Sequence, residues 1–180
     1  MAEALVNGRV LIDGEFVTGR TVVIENGRIA SIGEESDAER FDLQGQTLVP
    51  GFIDTQVNGG GDRLFNDDPS VETIAAIGAA HRRFGTTGFL PTLISDDWAK
   101  IEAAMEAVRS AIEQAVPGVL GIHIEGPFLN VEKKGIHEAS KIRPISDADI
   151  ALLSRPTGGK TMTSKLAFRF ESRATSWVLM

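Results

Sequence analysis

The chain is 180 residues long, 42% apolar and 24% charged, with a formal net charge of -7 and a pI near 5.0. These values fit a folded globular protein and exclude a general nucleic-acid binder, which would carry a basic face. Cysteine is absent, which rules out disulfides and thiolate chemistry. No apolar run approaches the ~20 residues of a membrane span. Met1-Ala-Glu-Ala4 lacks the basic-then-apolar order of a secretory signal. A cytoplasmic protein is the expectation. A small anionic substrate stays compatible with the acidic balance, because local charge decides such binding.

Residues 1–49 read as a small β-domain, incomplete by itself. Asn7-Gly8, Asp13-Gly14 and Asn26-Gly27 predict hairpins, because these residues tolerate the positive φ that two-residue turns need. Pro50-Gly51 marks a boundary. A buried strand is expected over Leu48 to Asn58, ending in the loop Gly59-Gly60-Gly61. The spacing of Val71, Ile74, Ile77 and Phe84 predicts a helix over 69–84, with Asp68 as N-cap, Pro69 in the first turn and Gly85 as the stop. Thr86 to Leu93 is the next strand. Trp98, Ile101, Met105, Val108, Ile112 and Ala115 form one apolar stripe over a helix at 96–115, closed by Pro117-Gly118. Val119 to Glu125 is the third strand. Ser146-Asp-Ala-Asp149 is a capping box opening a further helix.

The order is a β-domain followed by alternating strands and helices over 50–160, which implies an α/β fold with a parallel sheet or barrel. A complete eight-stranded barrel takes ~250 residues, so a partial one is expected. Residues 161–180 show no sustained period and read as an irregular or frameshifted tail.

The chemistry concentrates after the third strand. A strand over Val119 to Glu125 would deliver Glu125 at its carboxyl end, where α/β barrels hold their reactive groups. A carboxylate there suits a divalent metal, although an ion pair with Lys133 or Lys134 is equally open. His123 shares a strand face with Glu125, and a satisfied core histidine is the plainer reading. His81 sits on a helix beside Arg82 and Arg83, where packing is the plainer role. His137 lies in a glycine-containing loop beside two lysines, which favours substrate contact. Gln56 and Asn58 alternate near the end of the first barrel-type strand and suit hydrogen bonds to a substrate or water. Neither Gly59-Gly60-Gly61 nor Gly158-Gly159-Lys160-Thr161 completes a phosphate-loop pattern.

Val49-Pro-Gly-Phe-Ile-Asp54 after a small β-domain resembles the barrel entry of the amidohydrolase superfamily. Gln56-Val-Asn-Gly59, Phe89-Leu-Pro-Thr-Leu93, His123-Ile-Glu-Gly-Pro-Phe-Leu-Asn130 and Lys133-Lys-Gly-Ile-His137 narrow the resemblance to the N-acetylglucosamine-6-phosphate deacetylase family, over residues 4 to about 156. The resemblance implies a partial TIM-type (β/α) barrel preceded by a small β-sandwich-like domain. It implies hydrolysis of the acetamido group of N-acetylglucosamine 6-phosphate to glucosamine 6-phosphate and acetate. Glu125 would ligate one divalent metal ion (zinc, iron or manganese), His137 would act in catalysis and contact the substrate, and Gln56 and Asn58 would line the substrate site. The single metal follows from Gln56-Val57-Asn58, where many superfamily members carry H-x-H. No nucleic acid or membrane partner is implied, and the full-length form would be a homo-oligomer.

The departure lies downstream. The family's two further histidine ligands have no counterpart, because no histidine follows His137, and Asp147 and Asp149 do not match its general base. The expectation is therefore a truncated chain, inactive alone. The alternatives are a non-catalytic fragment that binds phosphosugar or full-length subunits, and an amidohydrolase acting on a cyclic amide. The Gln56-Val57-Asn58 strand and the Lys133-Lys134-Gly135 loop argue against the last.

Overall fold

The computed structural model describes residues 2–33 and 37–154, and the backbone of 165–166. Gly158 to Thr161, and all of the expected tail except Lys165–Leu166, lie outside the described residues. The chain divides into two compact units, Met1–Pro50 and Gly51–Met180.

The first unit holds strands β1 (Ala2–Val6), β2 (Arg9–Ile12), β3 (Glu15–Thr18), β4 (Thr21–Glu25), β5 (Arg28–Gly33), β6 (Glu39–Asp42) and β7 (Thr47–Leu48). They form two sheets, ordered β5-β4-β1-β6 and β3-β2-β7. Two of the expected hairpins form. Asp13 and Gly14 turn β2 into antiparallel β3, and Asn26 and Gly27 turn β4 into antiparallel β5, all four residues at positive φ. Asn7-Gly8 is not a hairpin, since β1 and β2 belong to different sheets. The chain corners there because the 43–46 loop takes up its backbone. Val6 O accepts from Leu43 N, Asn7 O from Gly45 N, and Arg9 N donates to Gln46 O. A side chain at Gly8 would have its Cβ 2.5 Å from Leu43 Cδ1. Ala4, Val6, Val10 and Val22 are the buried apolar residues of this unit.

The second unit is mixed α/β. It contains β8 (Phe52–Val57), β9 (Gly59–Gly60), β10 (Arg63–Leu64), α1 (Val71–Arg82), β11 (Thr86–Ile94), α2 (Trp98–Glu113), β12 (His123–Glu125), α3 (Asp147–Leu153) and β13 (Lys165–Leu166). Its main sheet runs β13-β12-β11-β8, and every pairing is parallel. Residues expected as a bare glycine loop instead form the short antiparallel hairpin β9-β10, turned by Gly61 and Asp62 at positive φ.

Several boundaries differ from expectation for local reasons. The N-cap of α1 is Ser70, whose hydroxyl accepts from Thr73 N, and not Asp68. Asp68 instead accepts from the Ser70 and Thr73 hydroxyls, bracing the cap from outside. Helix α2 stops at Glu113 before Pro117 is reached. Ala115 takes the left-handed conformation (φ 55°), Val116 N donates to Ala111 O and Ala115 N to Ile112 O. That is a Schellman closure with alanine in the position glycine usually holds. The third strand is shorter than Val119 to Glu125: only His123–Glu125 pair continuously, and Val119 makes one isolated bridge to Phe89.

The core of this unit joins Ile74 and Ile77 of α1, Phe89 and Leu93 of β11, Ile101, Ala104 and Val108 of α2, and Ile122 and Ile124. Spacings of three and four in α2 put its buried residues on one face, as an amphipathic helix over a sheet requires. Gly78 lets α1 lie close to the sheet, because a Cβ there would stand 2.7 Å from the Phe89 ring. Pro91 sits in β11, a central strand, where the missing N–H disturbs the ladder. The β8–β11 register shifts between Phe89 and Pro91, and the Thr92 hydroxyl receives Val57 N–H at 2.9 Å.

Candidate functional site

The sheet register places the chemistry. Ile94, the last residue of β11, pairs with Glu125, the last of β12, so both strands end at one level. Asn66 fixes this end of β11: its Oδ1 accepts from Ile94 N at 2.9 Å, and its Nδ2 donates to Asp96 Oδ2 at 3.2 Å. Burial pushes the Asp96 carboxyl up, but the Asp97 N–H, Asn66 and Lys100 together bring it below the usual carboxylate range.

Beyond Glu125 the chain turns through a cis Gly126-Pro127 bond, a 3-10 turn at Val131–Lys133 and a second at Ala139–Lys141. Arg143 holds the far side of this excursion. Its N–H donates to Pro127 O, its guanidinium lies over the Trp98 and Phe128 rings at 4.5 and 5.1 Å, and it pairs with Asp149 at 2.7 Å. Asp149 closes the expected capping box of α3 with Ser146 and is buried. Burial raises its carboxyl, yet the Ser146 and Arg143 hydrogen bonds prevail and hold it low. Asp149 is thus committed to structure, while Asp147 is exposed at the helix start.

Three of the sequence-selected residues converge. Gln56 Nε2 donates to Glu125 Oε2 at 2.9 Å, and His137 Nε2 lies 3.7 Å from Glu125 Oε1. His137 is buried although it lies in a loop, and its other nitrogen, Nδ1, meets Ser95 Oγ at 2.8 Å and Ser95 N at 3.3 Å. Lys134 does not pair with Glu125. Its Nζ donates to His137 O at 3.0 Å, while Lys133 is exposed. Asn58 is not joined to the group by any side-chain hydrogen bond among the described residues, and its carbonyl accepts Phe65 N–H. His123 is buried, with Nδ1 3.2 Å from Thr92 Oγ1, and His81 Nε2 meets Gly59 O at 2.9 Å.

Glu125 is half-buried with carboxylate oxygens facing an amide and an imidazole. Among the described residues no three His, Cys, Asp or Glu side chains gather as a metal centre. A catalytic zinc takes three protein ligands, so these residues fit one ligand position and not a whole site. Ser95, Asn66 and Arg143 escaped the sequence reading. Ser95 is followed by Asp96-Asp97, and no local spacing links it to His137, 42 residues further on.

The sequence model of the amidohydrolase family matches residues 47–174. The chain is 42% identical over 153 residues to an N-acetylgalactosamine-6-phosphate deacetylase of Shewanella sp. (strain ANA-3), covering 82% of this chain and 39% of that protein. It is 36% identical over 150 residues to the N-acetylglucosamine-6-phosphate deacetylase of Haemophilus influenzae, covering 81% and 39%. The crystal structure of N-acetylglucosamine-6-phosphate deacetylase from Pasteurella multocida superposes with a TM-score of 0.81 at 34% identity, over 85% of this chain and 41% of that one. A D-hydantoinase structure matches with a TM-score of 0.51 at 22% identity, a likeness of fold alone. The chain spans about two fifths of the length of the deacetylases it matches.

Proposed function

Because this chain belongs to the amidohydrolase family, we propose that its second unit is the opening part of a metal-dependent (β/α) barrel that removes the acetyl group from an N-acetylhexosamine 6-phosphate. The small unit is the matching β-sandwich-like domain, incomplete in these residues, and the protein is cytoplasmic. N-acetylglucosamine 6-phosphate is the first substrate to test. The 42% identity to a relative named for the galactosamine epimer makes that sugar the second. The observation that carries the reading is the convergence of Gln56, Glu125 and His137 at the carboxyl ends of parallel strands.

In the net reaction, water adds to the acetamido carbonyl carbon, the carbon–nitrogen bond breaks, and the amine leaves with a proton. His137 donates a hydrogen bond to the oxygen on which negative charge develops, the usual task of an oxyanion donor. Gln56 orients the Glu125 carboxylate through the 2.9 Å bond. Glu125 is one ligand for a divalent ion (zinc, iron or manganese). Among the described residues no further pair of potential ligands gathers beside it. These 180 residues alone are accordingly expected to bind phosphosugar or pair with full-length subunits without turning the substrate over. Isothermal titration with N-acetylglucosamine 6-phosphate, beside an acetate-release assay with each metal, tests this. Heat of binding without turnover is expected. Metal-dependent turnover would overturn the incompleteness, and absence of binding of either epimer would overturn the substrate class.

A further inference from the structure

We infer that Ser95 is a positioning residue that fixes His137 in its Nε2–H tautomer and so commits it to donate a hydrogen bond at the site. The inference rests on the proposed function for the donor's purpose, but not for its geometry. Two groups of one residue meet His137 Nδ1: the Ser95 backbone N–H at 3.3 Å and the Ser95 hydroxyl at 2.8 Å. A backbone N–H can only donate, so Nδ1 accepts, but at 3.3 Å this contact is the weaker of the two and holds the tautomer only in part. The hydroxyl facing the same nitrogen must then donate as well. The ring proton is left on Nε2, the nitrogen turned toward Glu125 Oε1.

The surroundings hold this arrangement. Ser95 and His137 are both buried, at 6% and 5% exposure, so water does not compete for Nδ1. The His137 backbone is pinned by Lys134 at both its N–H and its carbonyl. Gly126 leaves the space that the hydroxyl occupies, since a Cβ there would lie 2.1 Å from Ser95 Oγ. Burial also argues against Ser95 as a nucleophile, because its oxygen is enclosed by Gly126 and the imidazole. Orientation of a histidine through its second nitrogen is a general way of setting which face donates.

The test is long-range 1H–15N correlation on the 15N-histidine-labelled 180-residue chain, recorded with the ring neutral. Wild type is expected to show His137 as a single Nε2–H tautomer. Ser95→Thr keeps the hydroxyl and is expected to keep that signature, whereas Ser95→Ala removes one of two donors and is expected to show a tautomer mixture. Nδ1–H in wild type, or a folded Ser95→Ala chain with an unchanged spectrum, overturns the inference. If Ser95→Ala does not fold, the wild-type and Ser95→Thr spectra still decide it, the latter by losing or keeping the tautomer. Adding N-acetylglucosamine 6-phosphate to the wild-type sample separates the two readings. An Nε2–H tautomer whose resonance ignores the sugar sustains the role of Ser95 while counting against N-acetylglucosamine 6-phosphate as the ligand of this site.

Discussion

Glu125 and His137, the residues proposed to carry the site, are each held by a neighbour distant in sequence: Gln56 lies 69 residues before Glu125, and Ser95 lies 42 before His137. Glu125→Gln keeps the shape but loses the charge, and is expected to abolish any zinc binding by this chain, measured by titration calorimetry. Asp149 makes a separate prediction. Its folded carboxyl titrates below the usual value, so its contribution is present above the unfolded pKa of ~3.9 and lost as pH falls through the lower folded value. Thermal unfolding followed by circular dichroism should show the midpoint dropping below about pH 4. Asp149→Asn should remove that share and cost about 2–3 kcal/mol at neutral pH, the worth of hydrogen bonds to a charged group. An unchanged melting point would show Arg143 to be indifferent to its partner. Glu125, His137 and Gln56 were legible as residues because carboxylate, imidazole and amide fall at strand ends or in a glycine loop. Their fixing partners were not, since Ser95 acts through a fold contact that no local spacing records.

At the scale of elements, local signals spoke where they were self-contained. The Ser146–Asp149 capping box and the Asp13-Gly14 and Asn26-Gly27 hairpins need only residues within four positions, and each formed. Asn7-Gly8 carries the same dipeptide but its turn is decided by the 43–46 loop, so its partner sheet was hidden. Helix α2 ended early because Ala115 adopts the left-handed conformation that its sequence does not advertise. Relief of that strain gives a direct test: Ala115→Gly should stabilise the chain by about 0.5–1 kcal/mol, read from urea unfolding, given that a non-glycine residue there costs ~1–2 kcal/mol. A loss of stability would mean the alanine methyl packs usefully. Ile101 makes the converse case. It is 1% exposed in the core under α2, and Ile101→Ala should cost about 2–5 kcal/mol in the same assay.

Across the molecule, strand alternation pointed to a parallel sheet, but the sequence held no measure of how much of β8 would stay uncovered. Phe52 and Ile53 of β8 are 60% and 64% exposed on an edge strand. Edges of this kind pair with other chains, so sedimentation velocity should show association that grows with concentration and weakens in Ile53→Lys. A monomer at all concentrations would remove that expectation. Among the described residues no three potential metal ligands gather, while relatives run to more than twice this length. Acetate release from a chimera tests whether Glu125 and His137 face the reacting amide of an N-acetylhexosamine 6-phosphate, as proposed. Residues 1–154 of this chain would replace the matching segment of the Shewanella deacetylase. A folded chimera that releases acetate is expected, with His137→Gln slowed on the order of 10²–10³-fold, as for a lost oxyanion donor, and Glu125→Gln inactive. A folded chimera without activity, or one that keeps full activity after either substitution, would contradict the proposal.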